Sequence, residues 1–475
     1  SLTMSQNVVI QVGQCGNQIG SCFWNLALNE LQDFIENTRD VKVLKGAKPV
    51  YNVNGNSFNH AVNCFFKNET ATRSSTRNYN IKARAVLIDM EEGVLNSVEN
   101  GNICHLFSKG QVVKSCSGSG NNWAVGHYEY GNSFKDLIID AIQKEVEHCD
   151  SLQGFFLLHS MGGGTGSGLG SRILRFLDDE FPHVPRLVLA VYPSELDDVV
   201  TSPYNTLLAT NVVTQHADAV MPVENQALID ICSSLPRRRL DKTRAEVTNG
   251  QPLHGRGRTF DTLNNIIANV MLHVTSGSRF PGDMNVDLNE IPTNLVPYPR
   301  LCYLTSCLAP LQSLTDLELP TRSVDNMFTD VISKKLQLLK CDPFQGVYLT
   351  CGLLCRGQVA MSDVQKNTYR LKKLVNFVGW NNDHWKVGLC SVPSRLHPYS
   401  LLSLANNTCV TTLFSRIIHR FHKLYRRKAH IHHYLEVSGM EVVEIEESVA
   451  SLVTLIADYE EVKTPFKSTP RLKLK

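Results

Sequence analysis

Between the apolar run "FFLL" (Phe155 to Leu158) and the helix-spaced stretch "SRILRFLDDE", the chain reads "HSMGGGTGSGLG", with six glycines in the nine positions from Gly162 to Gly170. Ordering that many glycines costs more backbone entropy than ordering other residues, so the fold must need them. A strand, a glycine loop and then a helix form an arrangement in which several backbone N–H groups and the positive end of a helix dipole converge on an anion. The same strand–loop–helix order recurs around it, in "NVVIQVG" before "QIGSCFWNLALNELQDFI", in "RAVLIDM", in "RLVLAVYP" and in "AVMPV". Repeated units of this kind predict an α/β fold whose mostly parallel sheet is covered on both faces, with ligands at the carboxyl ends of the strands.

The spacing of the glycines narrows the ligand. GxGxxG is absent in every frame, which leaves a dinucleotide-dependent oxidoreductase only as a distant alternative. A Walker loop requires GxxxxGK[ST], and this stretch holds no lysine. What remains is a backbone cradle for a di- or triphosphate, with Ser160 and Thr165 as compact hydroxyl donors. Two further loops, "GQCGNQIG" (Gly13 to Gly20) and "SGSGNN" (Ser117 to Asn122), stand at a helix start and near a strand end, so three loops are expected to face one polyphosphate. In "DMEEG", at the end of a strand, the acids either hold Mg²⁺ directly or through water, or are solvated acids in a turn. Asn225 and Asn264 either pair with a guanine edge, for which an amide offers both donor and acceptor, or cap helices.

Length and composition set the outer bounds. A chain of 475 residues is expected to divide into two or three domains. Its longest apolar runs, such as "LVLAVY", are strand-length, well short of the roughly 20 residues of a membrane helix. The first residues lack a secretory pattern, Met4 is read as the native start, and the expected address is the cytoplasm. The 14 cysteines are scattered without a CxxC pair, which reads as buried thiols rather than disulfides or zinc ligands. The net charge of +2 says nothing about nucleic acid by itself, but no nucleic-acid module pattern and no membrane-length apolar run appear, so neither nucleic acid nor membrane is an expected partner. Residues 36–82 and the basic stretch 236–258 interrupt the strand–helix order as surface insertions. "FDTLNNIIANVMLHVTS" predicts a long buried helix, and the last part of the chain is helical, from "TTLFSRIIHRFHKLYRRKAHIHH" to "EIEESVASLVTLIADYEEV". "RRKAHIHHY" is read as a basic helix end rather than a metal site.

"QVGQCGNQIG", "SGSGNNWAVGH", "HSMGGGTGSGLG", "SPYN", "VDLNEIPTNLVPYPR" and "ANNTC" together resemble the tubulins, in order and nearly in spacing, from about Val8 to Val462. "RAVLIDMEEGV", "CFWNLAL" and "RRKAHIHHYL" resemble the epsilon branch of that family. The resemblance implies a GTP-binding domain (1–259), a central helix with an intermediate domain (260–400) and a helical C-terminal domain with a basic tail (401–475). It implies that Gln14, Cys15 and Gln18 lie beside GTP or GDP, with Asp89 and Glu91 at the γ-phosphate and Mg²⁺. Gly120 and Asn121 would lend donors to phosphate, and Ser160, Gly162, Gly163, Gly164, Thr165 and Gly166 would wrap the α- and β-phosphates. Asp198 would approach the ribose, Asn225 and Asn264 would read guanine, and Phe260 would stack on the base where conventional members commonly carry Tyr. Ser202 stands where they carry Glu.

In this family the loop "NVDLNE" docks on the nucleotide of the next subunit, and Glu290 stands where alpha-type chains carry an acid that orients the attacking water and beta-type chains carry Lys; the other reading is an ordinary helix acid. The implied partners are other tubulins as longitudinal neighbours and the microtubules of centrioles and basal bodies, placing the protein in the cytoskeleton. The segment "APLQSLTDLELPTRSVDNMF" is shorter than the usual lateral loop, and the tail is basic where conventional tails are acidic, so self-assembly into ordinary microtubules is expected to be weak or absent. A GTP-binding scaffold or switch that never polymerises is the alternative.

Overall fold

In a computed structural model of the chain, the structure describes residues 5–37, 61–68, 81–194, 197–234, 256–280, 284–311, 323–381, 385–395 and 397–463. The expected insertions at 36–82 and 236–258 lie largely outside the described residues, as do positions 312–322 of the shortened lateral segment and the basic tail from 464 onward.

Six strands build the first sheet: β1 (Gln6–Val12), β4 (Ala85–Asp89), β5 (Val112–Lys114), β6 (Leu152–Ser160), β7 (Arg186–Tyr192) and β8 (Ala219–Glu224), in the order β5-β4-β1-β6-β7-β8. Each neighbouring pair is parallel. β1, β4, β7 and β8 are buried along their whole length, as strands covered on both faces must be. The strand period of two divides the side chains between two cores: Val9, Leu87, Phe156 and Leu189 enter one, and Val8, Ile10, Ile88, Leu157 and Val188 enter the other. A small hairpin of β2 (Phe66–Asn68) and β3 (Ile81–Ala83) packs at the edge of the first core.

Two long helices cover the first face, α1 (Gly13–Asn37) and a 19-residue helix, α7 (Arg256–Val274). In α7 the apolar residues Leu263, Ile266, Ile267, Val270, Met271 and Val274 recur at helical spacing, and all are buried. On the other face lie α3 (Lys135–Glu147), α4 (Gly170–Glu180) and α5 (Ser202–His216); α2 (Glu92–Glu99) follows β4, and α6 (Asn225–Ser234) follows β8.

Beyond α7 and the short α8 (Ser276–Arg279), α9 (Glu290–Leu295) leads into a second sheet, made of β9 (Leu304–Ala309), β10 (Tyr348–Gly357), β11 (Trp385–Cys390) and β12 (Tyr399–Asn407) in the order β11-β10-β12-β9. α10 (Val324–Asp330) and α11 (Met361–Lys372) pack on it. The sheet reaches Asn407, and the helical end of the chain begins after it with α12 (Thr411–Tyr425), α13 (His432–Leu435) and α14 (Val442–Glu461). Phe414, Ile417 and Phe421 of α12 and Leu452, Leu455 and Tyr459 of α14 join the second core of the first sheet.

One expectation is corrected here. The helix starting at Thr411 ends at Tyr425, ahead of the predicted "RRKAHIHH". Lys428 (φ 50) and His430 (φ 61) turn the chain left-handed, and Tyr434, fully buried, pulls it down onto α5. Tertiary burial of one tyrosine outweighs the helical pattern of a basic, exposed stretch.

Candidate functional site

In the order β5-β4-β1-β6-β7-β8, β1 is followed on one side by β4 and on the other by β6, which opens a crevice at the carboxyl ends of β1 and β6. There the structure places an open cleft of about 610 Å³. Gln14, Cys15 and Gln18 reach it from the first turns of α1, and Asp89 and Glu91 from the end of β4. Ser119 and Asn121 come from the loop after β5, while Ser160 and Gly162 to Gly166 come from the end of β6. Asp197, Asp198 and Val199 follow β7, Asn225 opens α6, and Phe260, Asp261, Asn264 and Ile267 project from the start of α7. The three glycine loops and the two asparagines predicted to meet therefore do meet. Gly120 (φ +55) shapes its loop but lies outside the cleft wall, and so does Ser202, buried beneath Gly162.

The glycines do more than bare a backbone to a ligand. A Cβ on Gly164 would lie 2.5 Å from Ser119 Oγ and 2.6 Å from the Asn122 nitrogen, and one on Gly168 would lie 2.2 Å from the Trp123 carbonyl oxygen. Those positions let the loop after β5 close on the loop after β6. Gly163 differs: a Cβ there would meet nothing nearer than 3.8 Å, and its face opens to the cleft. Ser119 and Thr165 share a hydroxyl–hydroxyl hydrogen bond of 2.9 Å, and the chain then winds through a π-helical turn, Thr165–Leu169, into α4. His127, stacked on Trp123 at 4.3 Å, is held neutral by burial, its pKa pushed down to about 3.

Asn205, fully buried in α5, ties these loops together. Its amide nitrogen donates to the carbonyls of Asn121 (2.8 Å) and Gly162 (2.8 Å). Its amide oxygen accepts from the Trp123 N–H (2.9 Å) and the Tyr434 hydroxyl (2.6 Å). Both donors and both acceptor positions are thus used, and one side chain joins two cradle loops to the C-terminal helices. Asn122 adds a bond to the His433 carbonyl (2.8 Å), and Tyr204 one to the Ala429 carbonyl (2.7 Å). Sequence reasoning held "SPYN" as a motif and missed this role; the available signal was an asparagine one turn into a helix, ahead of the apolar run "LLA".

The acids at the end of β4 are unequal. Asp89 is 2% exposed, and burial pushes its carboxyl up to about 6, partly opposed by the Glu91 N–H on Oδ1 (3.3 Å). Its Oδ2 is buried without a partner. A buried carboxylate oxygen lacking a donor, beside the exposed Glu91, suits a hard cation, which would restore the ionised form. Among the described residues no group of three or more His, Cys, Asp or Glu side chains is placed to hold a metal, so Mg²⁺ here would depend on phosphate oxygens and water for its remaining ligands. Burial and the charge of Asp197 push the Cys15 thiol up to about 12, so it lines the cleft as a neutral group rather than a nucleophile.

Glu290 lies elsewhere. It opens α9, paired with Lys386 of β11 at 2.5 Å. Its neighbour Asn289 bonds Gln153 (2.9 Å), near the start of β6, whereas the glycine loop leaves that strand after Ser160. Those two positions lie about 23 Å apart along an extended strand. The cleft and Glu290 therefore sit at opposite ends of the first sheet.

Comparison with known proteins agrees with this geometry. The Tubulin/FtsZ family GTPase domain matches residues 6–233, and the Tubulin C-terminal domain matches residues 299–419. A tubulin epsilon chain from Homo sapiens is 46% identical over 484 aligned residues, covering 99% of this chain and 100% of the human protein. A tubulin epsilon chain from Mus musculus is 46% identical over 482 residues, covering 99% of each.

Proposed function

The chain belongs to the tubulin family, and from that premise we propose that it is a GTP-binding structural subunit of the epsilon type, joining other tubulins head to tail in centriolar and basal-body microtubules. The observation that carries the reading is the placement of the cleft and Glu290 at opposite ends of β6. A subunit built so cannot bring Glu290 to its own cleft, but a head-to-tail neighbour can, and a heterologous contact of that kind does not close and generates filaments.

In this reading the phosphates lie over Gly162 to Gly166 and Ser160, with the exposed face of Gly163 nearest. Asn121 adds donors from the second loop, with Gly120 shaping it. Gln14, Cys15 and Gln18 line the other side, and Asp198 meets the ribose. Asn225 and Asn264 pair with guanine, while Phe260, 49% exposed at the mouth, offers its ring to the base. Asp89 and Glu91 would hold Mg²⁺, which supplies neutralising charge at the terminal phosphates. Glu290, anchored by Lys386, would orient a water against the GTP of the adjoining subunit, because phosphoryl transfer depends on positioning more than on covalent chemistry.

The test has two stages. Purified protein is expected to release guanine nucleotide on denaturation and to sediment without forming ordinary microtubules alone; robust tubules from the pure chain would contradict the expectation of weak self-assembly. In polymers co-assembled with other tubulins, Glu290→Ala is expected to slow GTP turnover. Unchanged turnover would remove the role in trans, and a nucleotide-loaded protein that never co-assembles would favour the non-polymerising scaffold.

A further inference from the structure

Beside the nucleotide cleft, across the segment Asp197–Val199, a second open groove of about 450 Å³ runs along α12. One wall is basic: Arg416, His419, Arg420 and Lys423 occupy positions i, i+3, i+4 and i+7 of the helix and share a face. The facing wall is aliphatic, with Val199, Pro203 and Val200, the last 57% exposed. Asp197 also lies in the wall, within the field of Arg420. At its inner end the groove meets a narrow chamber that shares Ser202, Pro203, Arg416 and Arg420 with it. Ser202, 5% exposed, presents there a hydroxyl with no hydrogen-bond partner.

We propose that this groove docks an extended acidic segment of a partner protein, in which carboxylates alternate with aliphatic side chains. The charge and its spacing select that chemistry. Arg416 is committed to Glu224 through two contacts of 2.8 Å that largely cancel its charge, so it braces the wall rather than binding the peptide. His419 and Lys423 are separated by one helical turn, about 6 Å along the axis. Alternate side chains of an extended peptide repeat at nearly that distance, about 6.6 Å. Carboxylates on one side of such a strand meet the ring N–H of His419 and the ammonium of Lys423, and the intervening aliphatic side chains meet Val199, Val200 and Pro203. A single phosphate needs donors gathered into one cup, whereas these are spread in a stripe. Beyond the mouth the exposed Arg426, Arg427 and Lys428 extend the positive field and would steer an acidic chain inward.

The experiment uses the full chain with its nucleotide and a short fluorescent peptide of alternating glutamate and valine, read by anisotropy. Binding is expected, weakening with salt and falling at least roughly tenfold in the double variant His419→Glu, Lys423→Glu. Both positions are exposed, so the variant is expected to keep its fold and its nucleotide content. Val200→Asp is expected to weaken the alternating peptide more than it weakens polyglutamate, while Lys335→Glu, on an exposed turn elsewhere, is expected to change nothing. Equal binding by the double variant overturns the proposal. So does equal affinity for polyglutamate, for inorganic phosphate or for a single-stranded oligonucleotide, since any of these makes the groove a general anion site. Self-association of the free chain that the double variant abolishes would assign the groove to a second copy instead.

Discussion

Tyr434→Phe isolates the link between the C-terminal helices and the glycine cradle. The substitution keeps the ring, which packs on Tyr204 at a centroid distance of 5.3 Å, and removes a hydroxyl that donates to Asn205 Oδ1 at 2.6 Å and lies 3.4 Å from the Thr201 carbonyl. Both residues are fully buried, so no water replaces the bond, but Asn205 Oδ1 keeps the Trp123 N–H and is not orphaned. The loss is therefore expected at about 1–2 kcal/mol. If that bond holds the loops in their nucleotide-bound arrangement, the same energy appears as a nucleotide release rate about fivefold to thirtyfold faster. Asn205→Ala is the severe counterpart. It orphans the Gly162 carbonyl and the Trp123 N–H, while the Asn121 carbonyl keeps the Thr201 hydroxyl (2.9 Å) and the Tyr434 hydroxyl keeps the Thr201 carbonyl (3.4 Å), a loss of roughly 3 kcal/mol or more. The assay is the dissociation rate of a fluorescent GTP analogue, measured beside thermal unfolding. A Tyr434→Phe protein with a lowered melting temperature and an unchanged release rate would refute the reasoning, because the bond would then serve the fold and not the cradle.

Asp89→Asn is expected to stabilise the nucleotide-free protein at neutral pH by up to roughly 3 kcal/mol, since the folded carboxyl titrates near 6 against an ordinary 3.8. The desolvation penalty is absent below the unfolded value, grows as pH rises between the two and is complete above 6; the gain in chemical-denaturation midpoint must follow that profile, while Mg²⁺-dependent nucleotide retention falls. Glu30→Leu leaves two buried arginines, Arg279 (2.8 Å) and Arg356 (2.9 Å), without their carboxylate and is expected to cost about 3–5 kcal/mol by urea unfolding; an unchanged midpoint would count against the pairing. Burial alone would raise the Glu30 carboxyl, but Arg356 and Arg279 hold it below its ordinary value, so this contribution is present above the unfolded pKa and is lost as pH falls through the folded one. Gly164→Ala is expected to abolish nucleotide retention by forcing Ser119 and Asn122 away from the loop after β6; retention at the native level would show that the two loops need not touch.

Much of the architecture was legible because it is local. A strand buried on both faces is a continuous apolar run, so β1, β4, β7 and β8 stand out in the sequence. Glycines between a strand and a helix identify an anion loop, and the missing lysine narrows which kind. Those signals brought three glycine loops to one expected site, the resemblance to the tubulins named Gln14, Asp89, Asn121, Gly163, Asn225 and Asn264 in it, and the parallel sheet places all of them around one cleft.

What the tertiary structure decided are the pairings between residues far apart in the chain. Glu30 meets Arg279 across 249 positions and Arg356 across 326, and Asn205 meets Tyr434 across 229. No periodicity within a helix or strand encodes such a partner, because it depends on how β1 to β12 and the helices over them are stacked. The end of α12 at Tyr425 was set by the burial of Tyr434, against a local helical pattern. The separation of Glu290 from the cleft followed from strand direction, since residues at the two ends of β6 are close in sequence and about 23 Å apart in space. The sequence by itself determined that three glycine loops would gather at the carboxyl ends of a parallel sheet. The sheet determined which side chains brace them and that the acid with which a neighbour's nucleotide would be met faces the other way.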